Sequence, residues 1–389
     1  MTIYIALTDD WELRGNGTGR VEDLQLKPAI ALMDLYDRLG IKSTFNVEVM
    51  QQLAFERYAG ANETIRSGRD AWLEAVRLMV ARGFDVQLHI HPQWMNAEFV
   101  DGWWKLSRRW NIADYSADEI REMFDAAIPY LEALIAPHRI VSFRGGSWGM
   151  GPPSRSIVAE LARRGIRIDV SIVNGNYYDG DAIHLDYRNL DSPFFAYRPD
   201  ADDIRRFPRS PENAAPLIEI PTQSVGRATL IKSMILNSPK SGFTPTVDGV
   251  MLLLRYPAGF LSRIRIYSQM RNAVRRVTGR NSVSAQPDFV IRDPFGFQGG
   301  RGTADVIFDL SSDLPLLVLQ KMADICISRA AGARRALTVL VLENHTKDLQ
   351  RTSDFDRIAR LIGYIRKTYP DVEFGTLAEI SRRPEASLC

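Results

Sequence analysis

The sequence of 389 residues has little of several features that mark particular classes of protein. Its two cysteines, Cys326 and Cys389, are too few for a disulfide framework or a cysteine-rich metal site. The opening segment MTIYIALTDD lacks the basic region and apolar run of a signal peptide, and we find no apolar run long enough for a membrane span. The net charge of +2 gives no strong overall attraction to a charged partner. These absences predict a cytoplasmic protein.

Short apolar, β-branched runs alternate with longer amphipathic stretches. This order is typical of repeated β-α units around a parallel sheet or barrel. The predicted strands are Thr2–Leu7, Ile41–Asn46, Phe84–His91, Arg139–Phe143, Ile166–Ser171, Leu217–Ile220, Leu337–Leu342 and Val372–Phe374. The predicted helices are Leu24–Leu39, Arg69–Arg82, Ala117–Ile135, Ser154–Arg164, Leu314–Ala331 and Asp354–Tyr369.

One long segment interrupts this alternation. From Gln223 to Pro287 a single acidic residue, Asp248, stands against ten basic ones. We interpret residues 223–287 as a basic and apolar insertion, and residues 1–222 and 288–389 as one domain. Such a segment can lie on an anionic membrane or hold the phosphates of a substrate, or it can be a solvated cationic surface. It contains no motif of a nucleic-acid-binding protein, so nucleic acid is not expected as a partner.

Polar residues end many of the predicted strands. In a β/α barrel the active site lies at the C-terminal ends of the strands, so these side chains would meet there. They are Asp9, Asp10, His89, His91, Arg144, Asp169 and His345. Each has an ordinary structural explanation by itself, such as a turn aspartate or a hydrogen-bonded histidine. Their convergence from distant parts of the chain favours a functional site.

The spacing of two histidines suggests a metal site. His89 and His91 are two residues apart on a predicted strand, so their rings face the same side. Neutral imidazole is a preferred ligand of zinc, and Asp10 would add a carboxylate. Asp169 lies in an apolar run, where a buried carboxylate needs a partner such as a histidine or an arginine.

The motifs around these residues, taken in order, resemble those of the polysaccharide deacetylases, also called carbohydrate esterase family 4 or the NodB-homology domain. LTDD resembles the first motif of that family, KSTFNVE its second strand, and RGFDVQLHIH the segment with its metal histidines. FRGG, IDVS and LENHT resemble its later motifs. The resemblance covers most of the chain outside the insertion. It implies an α/β fold, a distorted (β/α) barrel of about seven parallel strands with the basic insertion before the last strands.

The resemblance also implies a role for each matching residue. A divalent ion, expected to be Zn²⁺, would be held by Asp10, His89 and His91. The base would be Asp9, oriented by Arg144, and the general acid would be His345, held by Asp169. The substrate would be contacted by residues that follow these motifs, namely Trp94, Gly146, Ser147 and Trp148.

Two departures from the family pattern affect these roles. The family places its second metal histidine four residues after the first, where this sequence has Gln93; His91 stands two residues after the first. The family's third motif continues to Pro-Tyr, and the tyrosine amide supplies the oxyanion contact. Here the sequence reads Gly-Gly-Ser-Trp, so Gly146 or Ser147 would have to replace it.

The implied activity is metal-dependent removal of an N-acetyl group from an amino-sugar-containing glycan or sugar conjugate, by hydrolysis of a carbon–nitrogen bond that is not a peptide bond. A lipid- or nucleotide-linked substrate would agree with a cytoplasmic location and with contact between the insertion and an anionic membrane. One alternative is a hydrolase of a non-sugar amide or a cyclic imide on the same fold. Another is a non-catalytic glycan-binding member of the fold.

Overall fold

The computed structural model describes residues 2–179, 183–236, 305–333, 335 and 337–383. One sheet contains eight strands: β1 (Thr2–Trp11), β2 (Thr44–Glu48), β3 (Asp85–Ile90), β6 (Ser142–Gly145), β7 (Ile168–Asp169), β10 (Ile218–Glu219), β13 (Leu337–His345) and β14 (Val372–Phe374). Three antiparallel pairs lie outside it: β4 (Glu98–Val100) with β5 (Trp103–Lys105), β8 (Tyr177–Asp179) with β9 (His184–Asp186), and β11 (Ser224–Gly226) with β12 (Asp305–Ile307).

The large sheet curls into a barrel. Seven strands follow in the order β10-β7-β6-β3-β2-β1-β13, every neighbouring pair is parallel, and β14 lies beside β1. Thr222, just after β10, forms parallel bridges with both Val173 and Val341, and these bridges join the two edges of the sheet. The predicted distorted barrel of about seven parallel strands is therefore confirmed.

The helices of the described residues pack around this barrel, and the last of them, through Leu377 and Ile380, packs against its interior cluster. They are α1 (Lys27–Leu39), α2 (Val49–Tyr58), α3 (Glu63–Ala81), α4 (Ala117–Ile135), α5 (Arg155–Arg163), α6 (Arg227–Leu236), α7 (Leu316–Gly332), α8 (Thr352–Thr368) and α9 (Leu377–Ser381). All six predicted helices are present. The sequence did not reveal α2, because its polar residues do not follow a clear helical period: Gln51 and Gln52 are both buried.

Side-chain alternation along β1 divides the core into two parts. Ile5 and Leu7 belong to the large cluster that includes the helices, whereas Tyr4 and Ala6 pack with residues of β7, β10 and β13 inside the barrel. Successive side chains of a strand point to opposite faces. Odd-numbered residues of β1 therefore face the helices, and even-numbered residues face the barrel interior.

The predicted insertion, residues 223–287, is described only at its start. Residues 223–236 contain β11 and α6, and residues 237–287 lie outside the described residues. Gly226 of β11, directly before α6, pairs with Asp305 of β12, the first described residue after the gap. Among the helices in the described ranges, none has the length and apolar character needed to cross a membrane.

Candidate active site

Three ligand-type side chains meet at the C-terminal ends of β1 and β3. The Nε2 atom of His89 lies 3.1 Å from Oε2 of Glu12, and Nε2 of His91 contacts the same oxygen. All three residues are buried, and their donor atoms lie within 4.8 Å of one another. Glu12 directly follows β1 and continues the series of even-numbered residues that face the barrel interior, so its side chain reaches this rim.

Both imidazole rings are held at their other nitrogen. Nδ1 of His89 lies 2.8 Å from the carbonyl oxygen of Arg144, so it donates its proton there and leaves Nε2 as an acceptor. Nδ1 of His91 lies 3.0 Å from Nε2 of Gln93. Gln93, which stands where the family has its second metal histidine, is thus a neighbour of His91 and not of the three converging atoms.

These three residues fit a divalent ion. A carboxylate and two imidazoles are the donor set of many catalytic zinc sites, and each supplies one atom to a common point. Burial opposes ionisation of Glu12, but the charges of His91 and Lys347 outweigh it and hold the pKa of Glu12 well below its usual range. The ionised form, which a metal requires, is therefore the stable one.

Asp10 lies beside this centre with different partners. Its Oδ1 accepts a hydrogen bond from Nδ2 of Asn46 at 2.9 Å and lies 3.4 Å from Nε of Arg144. Its Oδ2 lies 3.8 Å from Nε2 of His345. Burial would raise the pKa of Asp10, but the charges of Arg144, His89 and His345 lower it below its usual range. Asp10 is an oriented, ionised carboxylate between the converging ligands and His345.

Asp9 lies on the other side of β1. Its Oδ1 accepts hydrogen bonds from Tyr36 of α1, at 3.4 Å, and from Asn344 of β13. Its side chain is fully buried, and burial raises its pKa to about 7, despite hydrogen bonds that favour the charged form. As an odd-numbered residue of β1 it faces the helices, so the structure does not bring it together with Asp10, His89 and His91.

His345 is placed by β13 with its ring in the barrel rim. Its Nδ1 lies 3.6 Å from Oδ2 of Asp309, and its Nε2 faces Asp10. Burial and the nearby charge of Lys347 disfavour protonation, but the carboxylates of Asp309 and Asp10 outweigh them and raise the pKa of His345 to about 10. His345 is therefore a cation at neutral pH, and its orienting carboxylate is Asp309 and not Asp169.

Asp169 instead supports the turn after β6. Its Oδ1 accepts a hydrogen bond from Oγ of Ser171 at 2.6 Å, and the same oxygen of Ser171 accepts from the amide of Gly145 at 2.7 Å. Glu219 is paired with Asp169 in neighbouring strands, and burial raises the pKa of both carboxyl groups. The expected pairing of Asp169 with His345 is not seen, because Asp169 bonds to Ser171 while His345 lies between Asp309 and Asp10.

Arg144 occupies the centre of the barrel, fully buried. Its Nη1 donates to Thr222 and to Oε2 of Glu343, both at 3.2 Å, and its Nη2 donates to Thr8 at 3.3 Å. With the ion pair to Asp10, it links β6 to β1, β13 and the segment after β10. The carboxylates of Asp10 and Glu343 raise its pKa against the effect of burial, so its charge is permanent.

The turn after β6 forms one wall of the site. Ser147 and Trp148 have positive φ angles, 55° for each, which is uncommon for residues other than glycine. The indole nitrogen of Trp148 donates to Oε2 of Glu343 at 3.1 Å, and its ring stands edge-on to His345 with centroids 6.2 Å apart. A Cβ at Gly146 would lie 2.7 Å from Cγ of His91. Of the four predicted substrate contacts, Gly146, Ser147 and Trp148 thus lie beside the site.

Trp94 has a different environment. It is 2% exposed and packs edge-on against Phe55 and Trp104, with ring centroids 6.2 and 5.2 Å away. It follows His91 by one short turn, and its ring belongs to an aromatic core cluster. It therefore supports the loop that carries His91 and Gln93.

Three acidic residues of the site were not predicted. Glu12 follows Asp10 at the two-residue period that made His89 and His91 conspicuous, and that period could have identified it. Glu343 precedes His345 by the same period. Asp309 lies in the segment FDLSSD, which has no strand pattern, and reaches His345 only because it bridges to Glu343.

Comparison with known proteins identifies the fold. No protein-family model and no curated protein matches this sequence. A solved structure from Parabacteroides distasonis, described as a glycoside hydrolase/deacetylase, has a TM-score of 0.55 at 11% identity, covering 97% of this chain and 70% of its own. Structures described as polysaccharide deacetylases, from Mycobacterium smegmatis and Pseudomonas aeruginosa, have TM-scores of 0.49 and 0.43 at 13% and 14% identity, covering 100% and 98% of this chain and 91% and 90% of theirs.

The protein has the distorted barrel fold that the glycoside hydrolase/deacetylase also has. At the level of the fold, this likeness to a glycoside hydrolase/deacetylase confirms the resemblance indicated by the motifs. A fold can carry many activities, so the side chains of the site determine the chemistry.

Proposed function

We propose that this protein is a metal-dependent hydrolase that removes an N-acetyl group from an amino-sugar-containing glycan or sugar conjugate. The observation that carries the proposal is the convergence of Glu12, His89 and His91 next to an ionised Asp10 and a cationic His345. A divalent ion held by the first three residues, most simply Zn²⁺, would supply a Lewis acid beside Asp10.

The roles of base and ligand follow from the direction of each side chain. Asp10 accepts the proton of the attacking water, because it is ionised, oriented by Asn46 and Arg144, and next to the metal ligands. In this assignment Glu12 takes the ligand role that the motif resemblance gave to Asp10, and Asp10 takes the role given to Asp9.

His345 serves as the general acid. The C–N bond of an amide breaks readily only when its nitrogen is protonated. A cationic imidazole is therefore needed beside the leaving nitrogen, while the base lies beside the attacking water. Asp309 holds that imidazole and keeps it charged. Trp148 lies against His345 as a wall of the acyl pocket, and backbone amides of the turn at Gly146 and Ser147 would face the developing oxyanion.

The substrate is assigned by chemical class. An N-acetylated carbohydrate, linked to a lipid or a nucleotide, agrees with a cytoplasmic location and with the basic insertion of residues 223–287. Peripheral contact of that insertion with an anionic membrane belongs to the same proposal. A hydrolase of a non-sugar amide or cyclic imide would use the same acid and base.

The test combines metal analysis with an acetate-release assay. The purified protein should contain about one divalent ion per chain, and chelation should abolish acetate release from N-acetylated sugar conjugates. Glu12→Gln and His91→Ala should both lose the ion, whereas Gln93→Ala should retain most of it. A protein that keeps its ion after the Glu12→Gln change would contradict the ligand assignment. Release of ammonia or ring-opened product from amides or imides, without acetate release, would favour the alternative substrate class.

A further inference from the structure

A buried lysine contacts the carboxylate of the proposed metal centre. Lys347 lies in the short 3-10 turn Thr346–Asp348 that follows β13, two residues after His345. Its Nζ contacts Oε1 of Glu12, and its side chain is 11% exposed. Lysine is rarely buried to this degree without a specific partner. Neither the motifs nor the proposed proton transfers give this lysine a role.

The two oxygens of Glu12 have different partners. Oε1 contacts the Lys347 ammonium, while Oε2 is shared by Nε2 of His89 and Nε2 of His91. Oε2 is therefore the oxygen of this carboxylate that would bind the metal ion together with the two histidines.

We propose that Lys347 is a positioning residue that makes Glu12 a one-oxygen ligand and limits the affinity of the centre for its ion. This inference rests on the metal centre of the proposed function. A carboxylate that is free at both oxygens can bind a cation through both. An ammonium on Oε1 prevents that mode, withdraws charge from the ligand and repels a second cation nearby.

The consequence is a centre with open coordination positions. A catalytic zinc site needs at least one position for water or substrate, in contrast to a closed structural site. By keeping Glu12 to one oxygen, Lys347 preserves that position. The same contact stabilises the protein when no ion is bound, because the buried Glu12 carboxylate then has a cationic partner.

The test measures binding of Zn²⁺ alone, by competition with a chromogenic chelator. Lys347→Met keeps the length and apolar stem of the side chain but removes the charge. At about pH 8, well above the ordinary pKa of a glutamate, we expect it to bind Zn²⁺ about tenfold or more tightly than the parent protein, because one repelling charge is removed. Lys347→Arg, which keeps the charge, should stay within about threefold of the parent.

A second readout follows the coordination of the ion directly. In the Co²⁺-substituted protein, the visible absorption band should weaken in Lys347→Met, because a second carboxylate oxygen raises the coordination number, and should persist in Lys347→Arg. In Lys347→Met, either an unchanged or weaker Zn²⁺ affinity or an unchanged Co²⁺ spectrum would overturn the inference. Circular dichroism checks that both variants are folded; if Lys347→Met does not fold, Lys347→Gln is measured in the same way.

These readouts do not depend on the proposed reaction. If the parent protein binds Zn²⁺ and the lysine variants behave as expected, but no N-acetylated substrate releases acetate, the deacetylase proposal fails and the role of Lys347 stands. If acetate is released and the Lys347→Met affinity is unchanged, the role of Lys347 fails and the deacetylase proposal stands.

Discussion

Two adjacent aspartates at the end of β1 have opposite surroundings. Asp10 faces the barrel rim with Arg144 and Asn46, whereas Asp9 faces the helices with Tyr36 and Asn344. The alternation of side chains along a strand makes this division unavoidable. The two residues therefore offer a matched pair for separating catalysis from stability.

Replacing each aspartate by asparagine should give different activities. Asp10→Asn removes the proposed base and should lower kcat by roughly 100-fold or more. Asp9→Asn should leave kcat within about threefold, because its side chain is on the other face of β1. Acetate release at saturating substrate measures both. If Asp9→Asn were the inactive variant, the assignment of the base to Asp10 would be wrong.

The same pair predicts a difference in stability with pH. Burial raises the pKa of Asp9 in the folded protein from 3.8 to about 7. Its contribution to stability is therefore greatest below pH 4 and is lost as the pH rises through 7. Between pH 4 and pH 8 the parent protein should lose stability that Asp9→Asn does not lose. The free energy of unfolding of Asp9→Asn, relative to that of the parent, should therefore be higher at pH 8 than at pH 4 by about 2–4 kcal/mol. Urea denaturation at both pH values provides the measurement, and parallel curves would contradict the assignment.

The carboxylate beside His345 should set the alkaline limit of activity. Asp309 is one of the groups that raise the pKa of His345 to about 10, and a general acid works only while it is protonated. In Asp309→Asn the alkaline limb of the kcat profile should move to lower pH by about one unit or more. Asp169→Asn is the control, because Asp169 contacts Ser171 and not His345. A shift in the control and none in Asp309→Asn would reverse the assignment of the two acids.

At the scale of elements, the turn after β6 and the end of β3 are packed without spare volume. A Cβ at Gly146 would lie 2.7 Å from Cγ of His91 and 2.8 Å from the carbonyl oxygen of Ile90. Distances under 3.0 Å force one of the neighbours to move. The absence of a side chain at Gly146 therefore lets the two elements bring His91 and the turn together.

Gly146→Ala should accordingly weaken metal binding. The displaced His91 ring can no longer direct its Nε2 to the oxygen of Glu12, so we expect a loss of about tenfold or more in Zn²⁺ affinity. Gly332→Ala, at the end of α7, is the matched control, because nothing lies within 4 Å of its added Cβ. Chelator competition measures both variants. Equal affinities for the two would show that the turn yields without moving His91.

At the scale of the whole molecule, Arg144 connects strands that are distant in sequence. It contacts Thr8 and Asp10 of β1, Glu343 of β13 and Thr222 at the closure of the barrel. Removing one partner of a buried ion pair leaves the other charges unpaired in a poorly hydrated interior. The arginine thus contributes to barrel closure as well as to the orientation of Asp10.

Arg144→Met should therefore destabilise the fold by about 3–5 kcal/mol. The control is Arg155→Met, because Arg155 forms an exposed pair with Asp202, and it should cost less than about 1 kcal/mol. Chemical denaturation with a common slope compares the two. If both variants lost the same free energy of unfolding, the buried Arg144 would stabilise the fold no more than an exposed arginine does.

The sequence by itself determined the order of strands and helices. The spacing of apolar residues and the glycine that ends a helix are both local properties of the chain. It also determined that His89 and His91 share a face, and that Arg144 and His345 end strands of one barrel. These features depend on spacing along single segments. Because strands and helices have fixed periods, the spacing of two residues in one segment determines whether their side chains share a face.

Only the tertiary structure decided which acidic residues lie at the candidate site. Whether Asp9 or Asp10 faces the barrel depends on the phase of β1 relative to its neighbours, and the sequence around LTDDWE permits either. Asp309 stands 36 residues before His345 and still lies beside it, whereas Asp169 bonds to Ser171. Partners of a buried charge are chosen by packing and strand order, because a few ångströms decide whether an ion pair forms. No local pattern in the sequence contains those distances.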